Sequence, residues 1–142
     1  MARFSQDTKV AALARAPLFE GLSKKELAQL AKTTEDVEVG AGKVLCKEGE
    51  FGHEFFVIVE GEAEVRRRER TVDTLGPGDF FGEIALIEKT HRTATVTSST
   101  PLRFFVLTSR SFWSLLDHTP GVERKVLRAL ARRMVADRKS TP

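Results

Sequence analysis

Hydrophobic residues recur with helical spacing at both ends of the chain and in short strand-like runs in between. Near the N-terminus the spacing is helical for four residues, Val10, Leu13, Ala14 and Leu18, and Pro17 interrupts this helix. A capping-box pattern then runs from Ser23 to Glu26, which predicts a helix over about 23–33. Residues 1–35 are therefore expected to form an N-terminal helical lead-in.

The middle of the chain has the pattern of a β domain. Short β-branched and aromatic runs occupy residues 37–39, 44–46, 55–59, 63–66, 71–75, 94–97 and 102–107, and glycines separate many of them. Short strands with turn signals every 8–12 residues or so are typical of a sandwich or barrel. The run from Arg66 to Arg70 is interpreted as a solvated hairpin.

Helical spacing returns after residue 107. Ser109 or Ser111 is predicted to cap a short helix, and Thr119 followed by Pro120 to begin a longer one. One apolar stripe of the longer helix consists of residues four apart: Val122, Val126, Leu130 and Met134. The basic residues that crowd into 124–139 are interpreted as a solvated helix face.

Length, net charge and cysteine content exclude several classes of protein for this chain. The chain has 142 residues, enough for one domain, and a net charge of +3, too small for a dedicated nucleic-acid binder. Its single cysteine, Cys46, excludes an internal disulfide and a multi-cysteine metal site, and suits a reducing compartment. No apolar run approaches the ~18 residues of a membrane span, and no secretory signal is evident. We expect a cytoplasmic location.

The stretch from Gly76 to Val96 carries the candidate chemistry. Gly82 permits an unusual backbone angle or a tight approach, and residues 83–87 can form one helical turn whose first amides have no internal partners. Arg92 supplies a guanidinium that can grip a phosphate with two hydrogen bonds. The pattern indicates a small phosphate ester held between that turn and Arg92, with Glu83 accepting from a hydroxyl.

These residues resemble a known cassette. Gly82–Leu86, a short insert and then Arg92–Val96 are similar to the phosphate-binding cassette of cyclic nucleotide-binding domains. This family includes bacterial catabolite activators, regulatory subunits of cyclic-nucleotide-dependent kinases and cyclic-nucleotide-gated channels. Further likeness covers roughly residues 10–138, including the segments 17–22, 40–49 and 56–61.

The resemblance implies a fold and a division of the chain. The fold would be mainly β: an eight-stranded jelly roll with N-terminal helices and C-terminal lid helices. The jelly roll would span 36–107 with the cassette at 82–93, and the C-terminal hinge and lid helices would span 108–139.

The resemblance also implies a role for each cassette residue. Glu83 would accept from the ribose 2′-hydroxyl, Arg92 would pair with the cyclic phosphate, and Thr93 would bond the phosphate or the base. The amides of Ile84 and Ala85 would bond phosphate and sugar oxygens. Gly82 would let the backbone close on the sugar, and Arg132 and Arg133 are candidates for capping the base.

Other interpretations of these residues stay open at this point. Glu83 and Arg92 could pair only with each other, Thr93 could be an ordinary strand residue, and Gly82 could be a β-bulge glycine. Four phenylalanines are assigned to the core: Phe55, Phe56, Phe80 and Phe81. Three scattered histidines are not expected to bind a metal: His53, His91 and His118.

We therefore expect a sensor domain without catalysis, cofactor or metal. It would bind cAMP in preference to cGMP and couple occupancy to the position of the C-terminal helix, for an unidentified effector protein or missing domain. The alternatives are a degenerate, ligand-free interaction module, which should lose Glu83 or Arg92, and a fragment of a larger channel or transcription regulator. Direct DNA binding is not expected, because too little sequence follows residue 138 for a helix-turn-helix. A cupin-type enzyme shares the jelly-roll architecture but is not expected, because the sequence lacks the clustered histidine and carboxylate ligands that such an enzyme needs.

Overall fold

Helices flank a block of strands along the chain. The structure is a computed structural model that describes residues 5–88 and 90–140, except for the side chains of Glu88, Met134 and 136–140. The helices are α1 (Gln6–Arg15), a 3₁₀ turn (Pro17–Phe19), α2 (Lys24–Thr33), α3 (Glu83–Glu88), α4 (Ser109–His118) and α5 (Pro120–Ser140). The strands are β1 (Thr34–Val39), β2 (Val44–Cys46), β3 (Glu54–Glu60), β4 (Ala63–Arg67), β5 (Arg70–Leu75), β6 (Phe80–Phe81), β7 (Thr95–Ser98) and β8 (Leu102–Thr108).

The described strands form two antiparallel sheets of four strands each. One sheet has the order β1-β8-β3-β6 and the other β2-β7-β4-β5. Most neighbours are far apart in sequence, so the chain crosses repeatedly between the sheets, as in a jelly roll. The expectation of a mainly β jelly roll with flanking helices is confirmed.

Strand β3 separates two apolar clusters. Phe55 and Val57 pack with the helices, whereas Phe56 and Ile58 point between the two sheets, because successive side chains of a strand alternate in direction. Phe56 stacks on Phe81 with ring centroids 4.6 Å apart. The core assignment is confirmed for the buried Phe55, Phe56 and Phe81, while Phe80 is half-buried against the helical cluster.

One predicted helix cap is confirmed and another is wrong. The Ser23 side chain accepts from the Glu26 amide and the Glu26 carboxylate accepts from the Ser23 amide, which completes the capping box of α2. Helix α4, however, is capped by Thr108 and not by Ser109 or Ser111. Thr108 is still extended at the end of β8, so its hydroxyl can accept from the Ser111 amide at 3.1 Å, whereas both serines already lie inside the helix.

Helix α5 is held to the domain along one face. Val122 and Val126 are buried and Leu130 is half-buried, as the predicted stripe requires, whereas the Met134 side chain lies outside the described residues. The Lys125 ammonium donates to the Pro17 carbonyl at 2.5 Å. Within 5–88 and 90–140 no helix has the length and apolar character needed to cross a bilayer.

Candidate ligand-binding site

The cassette backbone turns sharply at Gly82, between β6 and α3. Gly82 has φ +98°, a left-handed conformation that L side chains rarely adopt. A Cβ there would also lie 2.7 Å from the Glu54 carbonyl oxygen and 2.9 Å from Arg92 Nη1. Glycine is therefore required both for the turn and for the close approach of the arginine.

Arg92 is buried, and main-chain carbonyls hold its guanidinium. Nη1 donates to the Gly82 carbonyl at 3.0 Å and Nη2 donates to the Glu54 carbonyl at 2.9 Å. The Arg92 amide and carbonyl are themselves bonded to Glu50 and Gly49, which fixes the backbone beneath the side chain. Carbonyls do not neutralise a guanidinium, and no ion pair joins Arg92 to a carboxylate of the described residues. The group is thus positioned with its charge available to an anion.

Gly52 leaves the space that Arg92 occupies. A Cβ at Gly52 would lie 2.0 Å from Arg92 Nε and 2.3 Å from Cζ. The sequence analysis assigned no role to Gly52 or to Glu54. The sequence could not reveal Gly52, because its role depends on a contact with Arg92, 40 positions further along the chain. It could not reveal Glu54, because the group that binds Arg92 is the main-chain carbonyl, which every residue has.

Glu83 is fully buried at the first position of α3. Its Oε1 accepts from Arg133 Nη1, and its Oε2 has no hydrogen-bond partner among the described residues. A buried acceptor without a donor costs about 1–3 kcal/mol, so this oxygen is free to accept a further hydrogen bond. The alternative in which Glu83 and Arg92 pair with each other is wrong, because each has different partners.

Arg133 reaches the cassette from α5. Besides its bond to Glu83, it donates from Nη2 to the Phe80 carbonyl, and its Cζ lies 5.3 Å from the centroid of the Phe80 ring. Desolvation lowers the pKa of the guanidinium, and the negative charges of Asp73 and Asp79 oppose that shift. Arginine side chains remain protonated in proteins, and Arg133 Nη1 forms an ion pair with Glu83 Oε1.

A cavity of about 330 Å³ opens beside these groups. That is within the range of roughly 300–1,000 Å³ typical of small-molecule sites. The predicted residues that line it are Gly82, Glu83, Ile84, Ala85, Arg92, Thr93 and Arg133. Arg132 is exposed and does not line the cavity, so the structure brings only one of the two candidate capping arginines to it.

Other lining residues were not anticipated from the sequence. Val65 and Val96 contribute apolar walls, and Arg67, Val72 and Asp73 lie on the β4–β5 hairpin. The hairpin was interpreted as solvated, which holds for the exposed Arg68 and Arg70 but not for Arg67.

Cys46 also lines the cavity, and burial raises the pKa of its thiol to about 11. The nearby Arg92 charge opposes this shift and the Glu54 charge adds to it. The thiol is therefore protonated near neutral pH and poorly nucleophilic. Within the described part of the chain, no group of three His, Cys, Asp or Glu side chains is arranged to hold a metal ion.

Comparison with known proteins assigns the family. The sequence profile described as "Cyclic nucleotide-binding domain" matches residues 36–119, more than half of the chain. The chain therefore belongs to the cyclic nucleotide-binding domain family.

Two curated relatives match most of this chain but only part of their own length. A "cAMP-dependent protein kinase regulatory subunit" of Mycosarcoma maydis is 41% identical over 115 residues, covering 75% of this chain and 22% of that protein. A "CRP-like cAMP-activated global transcriptional regulator" of Mycobacterium tuberculosis is 31% identical over 127 residues, covering 86% and 57%. The chain thus spans less than two thirds of the length of either relative.

A solved structure agrees on the fold. The "regulatory subunit of a cAMP-independent protein kinase A" from Trypanosoma brucei superposes with a TM-score of 0.80 at 28% identity, covering 87% of this chain and 45% of that one. That kinase is cAMP-independent by name, so membership of this fold alone does not identify the ligand.

Proposed function

We propose that this chain is a non-catalytic sensor domain whose cavity binds a cyclic nucleotide, with cAMP preferred over cGMP. The observation that carries the proposal is a pair of buried groups that line the cavity. The Arg92 guanidinium is held by carbonyls and has no ion pair with a carboxylate of the described residues, and Glu83 Oε2 has no hydrogen-bond partner among them. One calls for an anion and the other for a hydrogen-bond donor. A cyclised ribose phosphate presents a monoanionic phosphate and a 2′-hydroxyl on one rigid group.

The proposed division of roles follows from these charges. Arg92 keeps N–H groups beyond the two that bond to carbonyls, and these can donate to a phosphate oxygen. The amides of Ile84 and Ala85, at the start of α3, would add donors to phosphate and sugar oxygens. Glu83 would repel a phosphate, so its Oε2 is assigned to the sugar hydroxyl.

The preference for cAMP is supported by the two curated relatives, of which one is named as cAMP-dependent and the other as cAMP-activated. Thr93 lines the cavity, and its hydroxyl could bond the amino group of guanine, an interaction that would favour cGMP. One such bond is worth about 1 kcal/mol, a discrimination of roughly fivefold to tenfold. We place cAMP first on this balance.

Coupling to helix α5 is proposed to pass through Glu83. One carboxylate oxygen binds Arg133 of α5 and the other is left for the ligand, so the same side chain serves both. A ligand that bonds Oε2 fixes the carboxylate in the orientation that Arg133 requires. Occupancy would then favour the docked position of α5, at the usual coupling of about 1–3 kcal/mol.

Isothermal titration with cAMP and cGMP side by side tests the proposal. We expect saturable 1:1 binding of both, tighter for cAMP, and far weaker binding of 5′-AMP, whose phosphate is not cyclised. Loss of one hydrogen bond to the charged Glu83 should weaken 2′-deoxy-cAMP by about 1.5–3 kcal/mol, roughly 10- to 150-fold. Absence of saturable heat with either cyclic nucleotide would overturn the proposal and favour the ligand-free interaction module. Tighter cGMP binding would overturn only the cAMP preference.

A further inference from the structure

The outward face of α5 carries an apolar stripe. Leu127 and Val135 are 57% and 53% exposed, and Ala131, midway between them, is also exposed. Helical residues four apart lie on one face, so the three side chains form a continuous row. This row lies on the side of the helix away from the buried Val122 and Val126.

A basic stripe runs beside the apolar one. Arg124, Arg128 and Arg132 are exposed and follow the same four-residue spacing. Among the described side chains of α5 the acidic one is Glu123, which precedes Leu127 by four residues and so lies exposed at the N-terminal end of the apolar stripe. Lys125 and Arg133 are turned inward to other partners, so the positive charge of this face comes from the three exposed arginines.

We propose that these two stripes, together the α5 outer surface, dock an acidic amphipathic helix of a partner protein. Side-by-side helices are recognised by an apolar seam with flanking charges of opposite sign. The apolar stripe supplies a seam of three residues, and the arginine stripe requires carboxylates on the partner. The inference goes beyond ligand binding and does not depend on which nucleotide the cavity takes.

The same charges disfavour two other occupants. A second copy of this chain in an antiparallel pairing would bring one arginine stripe against the other, and like charges across a helical seam are destabilising. Membrane insertion requires a large apolar face, usually with aromatic residues, whereas this stripe contains one leucine, one valine and one alanine. An acidic protein helix satisfies both stripes at once.

The test uses the full chain and a designed probe. The probe is a fluorescent synthetic peptide of about 28 residues with leucine at the a and d positions and glutamate at e and g, and its match has lysine in place of glutamate. Anisotropy titrations should show saturable binding of the acidic peptide, weakened by salt, and much weaker binding of the lysine peptide.

Two matched triple variants locate the surface. Arg124→Glu, Arg128→Glu and Arg132→Glu together should weaken binding of the acidic peptide by at least about tenfold. An equal charge change elsewhere serves as control: Arg68→Glu, Arg70→Glu and Arg110→Glu, all at exposed positions, should leave binding within about twofold. Leu127→Ser should weaken binding without changing net charge. Circular dichroism checks that each variant is folded.

Several outcomes would overturn the proposal. These are no saturable binding of the acidic peptide, or equal loss in the two triple variants. Self-association in sedimentation velocity that Leu127→Ser abolishes would assign the surface to a second copy of the chain. Binding to phosphatidylserine vesicles without binding to the peptide would assign it to a membrane.

Discussion

Replacing Arg133 with methionine removes the hydrogen-bond donor that the described residues offer to the Glu83 carboxylate. Breaking a fully buried ion pair costs about 3–5 kcal/mol, whereas an exposed pair contributes about 0–1 kcal/mol. Here the Glu83 side chain is fully buried and that of Arg133 is 28% exposed. We therefore expect Arg133→Met to lower the free energy of unfolding by about 2–3 kcal/mol. With a urea slope near 2 kcal/mol per molar, the midpoint should fall by about 1 M.

Urea unfolding followed by circular dichroism measures this, and a double-mutant cycle isolates the pair. Glu83→Gln removes the charge and keeps the shape, so the double variant should lose clearly less stability than the two single variants added together. Arg132→Met is the control, because its side chain is exposed one position away, and it should change stability by less than about 0.5 kcal/mol. An Arg133→Met midpoint equal to that of the unmodified chain, or strict additivity in the cycle, would refute the coupling assigned to Glu83.

Three further changes test other parts of the site. Gly52→Ala should displace the Arg92 guanidinium and weaken cAMP binding as a change of Arg92 itself does. Gly76→Ala is the control, because a Cβ there would meet nothing within 4 Å, and it should leave the affinity unchanged. Equal affinities of the two variants for cAMP, measured by calorimetry, would contradict this prediction. Because burial raises the pKa of Cys46 to about 11, alkylation by iodoacetamide should stay slow at pH 8, accelerate toward pH 11 and be suppressed by cAMP. Because the pKa of the Cys46 thiol is raised from its ordinary value of 9.0 to about 11, the thiol contributes to the free energy of unfolding below pH 9.0. That contribution is lost as the pH rises through 11, and Cys46→Ala should abolish this part of the pH dependence of stability. Thr93→Ala should weaken cGMP about fivefold to tenfold more than cAMP, and an unchanged ratio would remove Thr93 from base selection.

Local patterns were sufficient to predict most of the fold. Each of the seven runs predicted as strands overlaps an observed strand, because alternation and turn residues are local properties. The two-residue β6 was too short to give a pattern of its own. The cap of α4 was predicted at Ser109 or Ser111, one or three residues after the observed Thr108, because the position of the cap depends on where β8 ends.

The cassette could be predicted from the sequence, whereas the residues that contact its side chains could be predicted only in part. Glu83 and Arg92 lie close together in a recognisable motif, whereas Arg133 meets Glu83 across 50 positions. A signal for Arg133 was present nonetheless: it follows Val126 by seven residues and so lies on the buried face, while Arg132 is turned about 100° away. Helical phase would have separated the two candidates. Gly52 gave no such signal, because its importance arises only from the side chain packed against it.

The affinity of Arg92→Ala for cAMP tests the central claim most directly. Competition against a fluorescent cAMP analogue should show a loss of about 2–4 kcal/mol, roughly 30- to 700-fold in Kd, because the guanidinium is buried and its charge is not neutralised by a carboxylate of the described residues. Arg110→Ala, at an exposed position, is the matched control and should bind like the unmodified chain. An Arg92→Ala variant that is folded and binds cAMP with unchanged affinity would contradict the account.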